Sequence, residues 1–164
     1  MKHPIGRTQN DITVYVDLIQ SRAATNIAQH PHLLGLIKET LLQTKARGRT
    51  ITIEHDMGRP IGYSGVVQTG EQDQILYAKL LRDEVYTRFV KNAKPAPSQY
   101  LTILLEHDDA GEYQLLDAWI GHTHPPRPGS QDETGDSRPY WANHAYIFEM
   151  QSLQLRTATK VCPY

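Results

Sequence analysis

Cysteine is almost missing from this chain: of 164 residues only Cys162 carries a thiol. A single thiol cannot close an internal disulfide, so a small disulfide-stapled fold is excluded. Nowhere do about 18 apolar residues run together, as a membrane-spanning helix requires. The opening MKHPIGRTQND has no apolar stretch of signal-peptide type. Net charge is nearly nil as well, with 17 Lys and Arg against 18 Asp and Glu, which argues against coating nucleic acid by bulk attraction. No glycine-rich loop runs into Lys-Ser or Lys-Thr, so a phosphate-cradling loop is not expected. Repeats and low-complexity tracts are absent. The expectation is a cytoplasmic protein with no membrane partner and no cofactor, folded as one domain over residues 1–164. A chain this long buries about two-thirds of its unfolded surface and is stable without staples.

What is present is unevenly spread. Residues 79–94 hold five cations (Lys79, Arg82, Arg88, Lys91, Lys94) against Asp83 and Glu84, whereas residues 106–117 hold five acids and no Lys or Arg. The clearest helix is expected at about 31–47, with Pro31 at its start and Leu33, Leu34, Ile37, Leu41 and Leu42 at helical spacing. Gly48 is its expected C-cap, and Lys45 and Arg47 complement the helix dipole. Strand patterns then dominate over about 50–121: TITIE at 50–54, then 63–69, 75–80 and 85–90. The strongest hairpin joins 99–106 to 112–120 through His-Asp-Asp-Ala-Gly. Residues 12–19 read as a short strand or helix start, 123–139 as an irregular Pro- and Gly-bearing loop, and 140–164 as a C-terminal segment ending in a strand-like run. The fold class is α+β: a curved, mostly antiparallel sheet with one main helix packed on one face.

Alternation divides each strand into two faces. Leu101, Ile103 and Leu105 form one apolar face, joined by Leu116, Ala118 and Ile120, by Val85, Thr87 and Phe89, and by Leu76, Ala78 and Leu80. The other face collects Tyr77, Lys79, Tyr86, Arg88, Tyr100, Thr102, Asp117 and Trp119, with Tyr113 beside them. Rings interleaved with cations are what single-stranded nucleic acid needs, the rings for bases and the charges for phosphates. An ordinary solvated sheet face has similar composition, and that reading stays open.

Cleaving RNA without a metal needs a base for the 2′-hydroxyl, an acid for the leaving 5′-oxygen and cations for the charged phosphorane. His55, at a strand end beside the Gly58–Gly62 break, is the candidate acid or base. Arg88 and Lys91 are candidate phosphate ligands, and Ser98 or Tyr100 candidate proton donors. Tyr86, Tyr100 and Trp119 are the candidate substrate platform, and His144 is a reserve for proton transfer. Trp141 in PYWANHAYIF reads as part of a core-packing turn. Cys162 has no histidine at meaningful spacing and is not read as a nucleophile.

The stretch YAKLLRDEVYTRFVKNAKPAPSQYLTILLEHDDAGEYQLLDAWIG (77–121) resembles a family of small bacterial proteins, most distinctively at TRFVKNAKPAPSQYLTILL. Its layout of helix, sheet and YLTILL–turn–YQLLDAWIG hairpin also resembles the barnase–EndoU–colicin–RelE group of metal-independent ribonucleases, many of them toxins. That resemblance implies a site of Lys79, Arg88, Lys91 and Ser98 with His55 as acid or base, RNA as substrate, and a cognate inhibitor protein as partner. The near-neutral charge departs from that group, whose members are usually basic. A second resemblance competes. Trp119-Ile-Gly-His122-Thr-His124-Pro125 is similar to the zinc isopeptidases of JAMM type, which implies zinc on His122 and His124 with an upstream acid such as Glu54. Here the downstream aspartate departs from the pattern: Asp132 comes early, and Asp136 comes one residue late without the preceding serine. A binding module without catalysis, presenting the same sheet face to protein or RNA, is the third reading.

Overall fold

In the computed structural model the described residues are 1–79, 85–91, 94–123, 127–129, 137–147 and 158–164. They form mixed α and β structure with open, antiparallel-rich sheets, in two compact units. The first holds 1–62 and 97–123, the second 63–96 and 124–164. No helix among the described residues is long and apolar enough to cross a membrane.

The first unit opens with strands β1 (Lys2–Arg7) and β2 (Thr13–Asp17), helices α1 (Arg22–Gln29) and α2 (Leu33–Leu42), and strand β3 (Thr50–Asp56). Two short strands, β4 (Gly62–Ser64) and β8 (Ala96–Ser98), mark where the chain passes from one unit to the other. The hairpin strands β9 (Tyr100–His107) and β10 (Tyr113–Ile120) complete a five-stranded sheet of order β1-β2-β10-β9-β3, antiparallel except where β10 runs parallel to β2.

The expected hairpin forms because its turn is built for it. Gly111 takes φ 83°, which glycine adopts without strain, and Asp108 accepts the N–H groups of Ala110 and Glu112 at 3.0 and 2.9 Å. Leu101, Ile103 and Leu105 are fully buried, with Val14, Val16, Ala23, Leu33, Ile37 and Leu41 in the same cluster. The core thus lies between one sheet face and two helices, where one helix was expected. The missed helix α1 carries its own signal in Ser21, whose side chain accepts the Ala23 N–H.

Helix α2 stops at Leu42 rather than Arg47, and Gly48 lies beyond its end. The reason is tertiary. Asn10 accepts the Ala46 N–H and donates to the Ala46 carbonyl, and the Gln9 N–H takes the Thr44 carbonyl, so residues 44–46 are held by the β1–β2 turn instead of a further helical turn. A register shift between Leu115 and Asp117 inverts the parity of β10. Tyr113 and Leu115 therefore point inward with Ala118, and Leu116, read as core, is only half-buried.

The second unit holds β5 (Val66–Gln68), β6 (Ile75–Lys79), β7 (Tyr86–Val90), the short α3 (Arg138–Trp141) and β11 (His144–Ile147), in a four-stranded sheet of order β5-β11-β7-β6. The expected strand at 63–69 is broken at Gly65. In β7 every residue from Thr87 to Val90 is buried. Phe89 packs with Leu76, Ala78 and Tyr146, while Val90 packs with Val67, Ala145, Ile75 and Ile147, so both faces of β7 are covered. Of the expected irregular loop, residues 124–126 and 130–136 lie outside the described residues, as does most of the run at 153–161.

Candidate active site

The open face expected from the sequence joins four strands, but these belong to two sheets: β6 and β7 in one, β9 and β10 in the other. The candidate residues divide accordingly.

In the four-stranded unit Arg88 is not an outward cation. It is 8% exposed, and its Nη1 donates to the main-chain carbonyls of Trp141 and His144. Its cross-strand neighbour Tyr77 meets the Tyr164 ring edge to face at 6.0 Å, and Thr159 bridges the backbone of Tyr77. Burial, with a contact from Cys162, pushes the Tyr77 phenol up. Tyr86 and Lys79 pair across β6 and β7 and are half-buried, and Lys91 is exposed. His144 lies flat on the Tyr140 ring at 4.1 Å, and Trp141 is buried as a core-packing turn requires.

In the five-stranded unit His55 also points the wrong way for the expected site. Successive strand residues face opposite sides. His55 shares the side of Ile51 and Ile53, which pack against the helical core, and it lies in the field of Glu39 on α2. Ser98 is used locally, its hydroxyl accepting the Tyr100 N–H at 3.2 Å.

The neighbour of His55 in sequence is the residue that matters. Glu54 points to the opposite side, where cross-strand pairing lines up Glu54, Thr102 and Trp119 across β3, β9 and β10. After β10 the chain turns back over this row. Gly121 has φ 125°, a left-handed region that glycine adopts readily, and its N–H donates to the Tyr100 carbonyl at 2.8 Å. The turn brings His122 onto Tyr100, ring centroids 3.9 Å apart, and brings its Nδ1 within 2.9 Å of Glu54 Oε1. The Thr123 N–H donates to the other carboxylate oxygen at 2.7 Å.

Partial burial alone would raise the Glu54 carboxyl. The hydrogen bonds from His122 and the Thr123 N–H outweigh it and hold the group below the ordinary glutamic acid value. An ionised carboxylate only accepts, so Nδ1 carries the hydrogen, and in the neutral form of the ring the lone pair lies on Nε2. The His122 side chain is 58% exposed, and among the described residues no hydrogen bond engages Nε2. The result is an oriented imidazole with one nitrogen held and a largely exposed side chain. That is the arrangement of a general base.

The sequence reading placed His122 with a metal and weighed Glu54 only as an acid for that metal. The signal for their pairing was the even spacing of Glu54 from Thr52 on a strand that pairs with β9. Among the described residues no group of three or more His, Cys, Asp or Glu is placed to hold a metal ion, and His124 lies outside the described residues.

No family model, curated protein or solved structure matches this chain.

Proposed function

We propose that the protein is a metal-independent endoribonuclease acting on single-stranded RNA, with His122 as its proton-transfer residue, Glu54 as the group that orients it and Tyr100 as a second proton donor. The observation that carries this reading is the Glu54–His122 pair on an aromatic ring, with the His122 side chain more than half exposed. In the reaction the 2′-oxygen attacks phosphorus and its proton passes to Nε2 of His122. The bond from phosphorus to the 5′-oxygen breaks, and the leaving oxygen takes the Tyr100 phenolic proton. The products are a cyclic 2′,3′-phosphate end and a 5′-hydroxyl end, and the imidazolium returns its proton to the phenolate. Single-stranded RNA as the substrate is supported by the resemblance of the sequence layout to the barnase–EndoU–colicin–RelE group and by the Tyr100 ring beside the imidazole. Relative to the site implied by that resemblance, proton transfer moves from His55 to His122, and Arg88 becomes a structural residue.

The test is cleavage of a short unstructured RNA in the presence of EDTA. Cleavage is expected to fall about 100- to 10,000-fold in His122→Ala, the usual worth of a positioned acid or base, and less than about twofold in His55→Ala. An unchanged rate in His122→Ala would overturn the assignment. Loss of cleavage in EDTA with stoichiometric zinc in the purified protein would instead support a zinc hydrolase. RNA binding without turnover would leave a binding module.

A further inference from the structure

Trp119 stands in the sequence as a platform for a stacked base. Its indole N–H, however, donates to the main-chain carbonyl of His122 at 3.1 Å. Thr102, between Trp119 and Glu54 in the cross-strand row, is fully buried, and its hydroxyl donates to the Gly121 carbonyl at 2.8 Å. With the Gly121 N–H on the Tyr100 carbonyl and the Thr123 N–H on Glu54, consecutive peptide groups of the 121–123 turn are held from the sheet beneath.

We infer that Trp119 and Thr102 are positioning residues, which brace the 121–123 turn so that Nδ1 of His122 stays on Glu54 and Nε2 stays free. This rests on the proposed role of His122, but the bracing itself has consequences that need no turnover. An unbraced exposed histidine samples several rotamers and both neutral tautomers. One held at its backbone and at Nδ1 keeps one of each. A braced imidazole also loses no time or free energy in finding its reactive orientation, which is where positioning contributes to rate.

Trp119→Phe bears on bracing against stacking, because it keeps an aromatic ring for a base while removing the N–H along with the second ring. Thr102→Val removes the buried hydroxyl at nearly constant volume, and Thr102→Ser restores it. Nitrogen-15 NMR of the His122 ring reports the tautomer directly. Wild type and Thr102→Ser should show a single Nδ1–H tautomer, and Trp119→Phe and Thr102→Val a mixture. In cleavage assays the same two variants should lose about tenfold in kcat, the equivalent of one hydrogen bond of about 1.4 kcal/mol, with KM within about twofold. If Trp119 instead stacks a base, Trp119→Phe will keep the wild-type ring spectrum and kcat, and Trp119→Ala will raise KM alone. An unchanged His122 spectrum in both Trp119→Phe and Thr102→Val overturns the inference. A changed spectrum in a protein that cleaves no RNA would uphold the brace and reject the ribonuclease.

Discussion

Strands β7 and β9 each carry apolar residues at alternate positions (Thr87 apart), yet the two sheets treat them differently. In β9 one side meets the helices, and the other carries Tyr100 and Thr102 beneath the His122 turn. In β7 both sides are covered, and Arg88, polar by parity, is enclosed among main-chain carbonyls. Alternation tells which residues share a side. It does not tell whether that side is covered, because that depends on segments far along the chain. A single guanidinium nitrogen, Nη1, meets this burial by donating to both carbonyls.

The largest stability effect should come from the sheet whose two sides differ most. Ile103 is fully buried at the centre of β9, facing the helices. Ile103→Ala should cost about 2–5 kcal/mol, the range for emptying a packed core site, read as a lower urea midpoint. A loss below about 1 kcal/mol would mean that the helices do not close that side.

Arg88→Ala comes next and bears directly on the comparison. Removing the buried guanidinium takes away its hydrogen bonds to the Trp141 and His144 carbonyls, which should cost about 1–3 kcal/mol. RNA cleavage by the protein that remains folded should stay within about twofold of wild type. The reverse result, full stability with cleavage lost, would return Arg88 to a catalytic site and undo the contrast between the two sheets.

How much of this was legible follows the same division. The β9–β10 hairpin, the apolar triplet Leu101, Ile103 and Leu105, and the α+β class with antiparallel-rich sheets follow from local pattern and turn chemistry, and all are present. Strand β1, with Pro4 and Gly6 inside it, gives no local strand signal and owes its state to pairing with β2. The end of α2 is set by Asn10, more than thirty residues away. The parity of β10 changes at a bulge that alternation cannot reveal. In the site, His122 and Glu54 were each visible as reactive types. Their pairing was not, because it needs β3 to lie beside β9 and the chain to double back at Gly121. His55 was the attractive choice, being a histidine at a strand end, and the one-residue alternation decided against it.

The smallest predicted effect lies in the hairpin turn that makes the five-stranded sheet recognisable. Asp108 accepts Lys2 Nζ at 2.8 Å as well as the turn N–H groups and the Gln114 amide. The Lys2 ammonium, with the Glu112 N–H, holds its carboxyl far below the usual aspartate range. Unfolded, the same group titrates near its ordinary value of about 3.9. A proton therefore binds the unfolded chain more readily than the folded one. The stabilising contribution is complete above the unfolded value and is lost progressively as the pH falls below it. Asp108→Asn cannot titrate and should be slightly less stable than wild type at neutral pH, since the contacts are exposed and screened. The gap should narrow as the pH is lowered from about 5 toward 2. Urea midpoints of both proteins across that range measure it. A gap that stays constant would show that the carboxylate charge does not hold the turn.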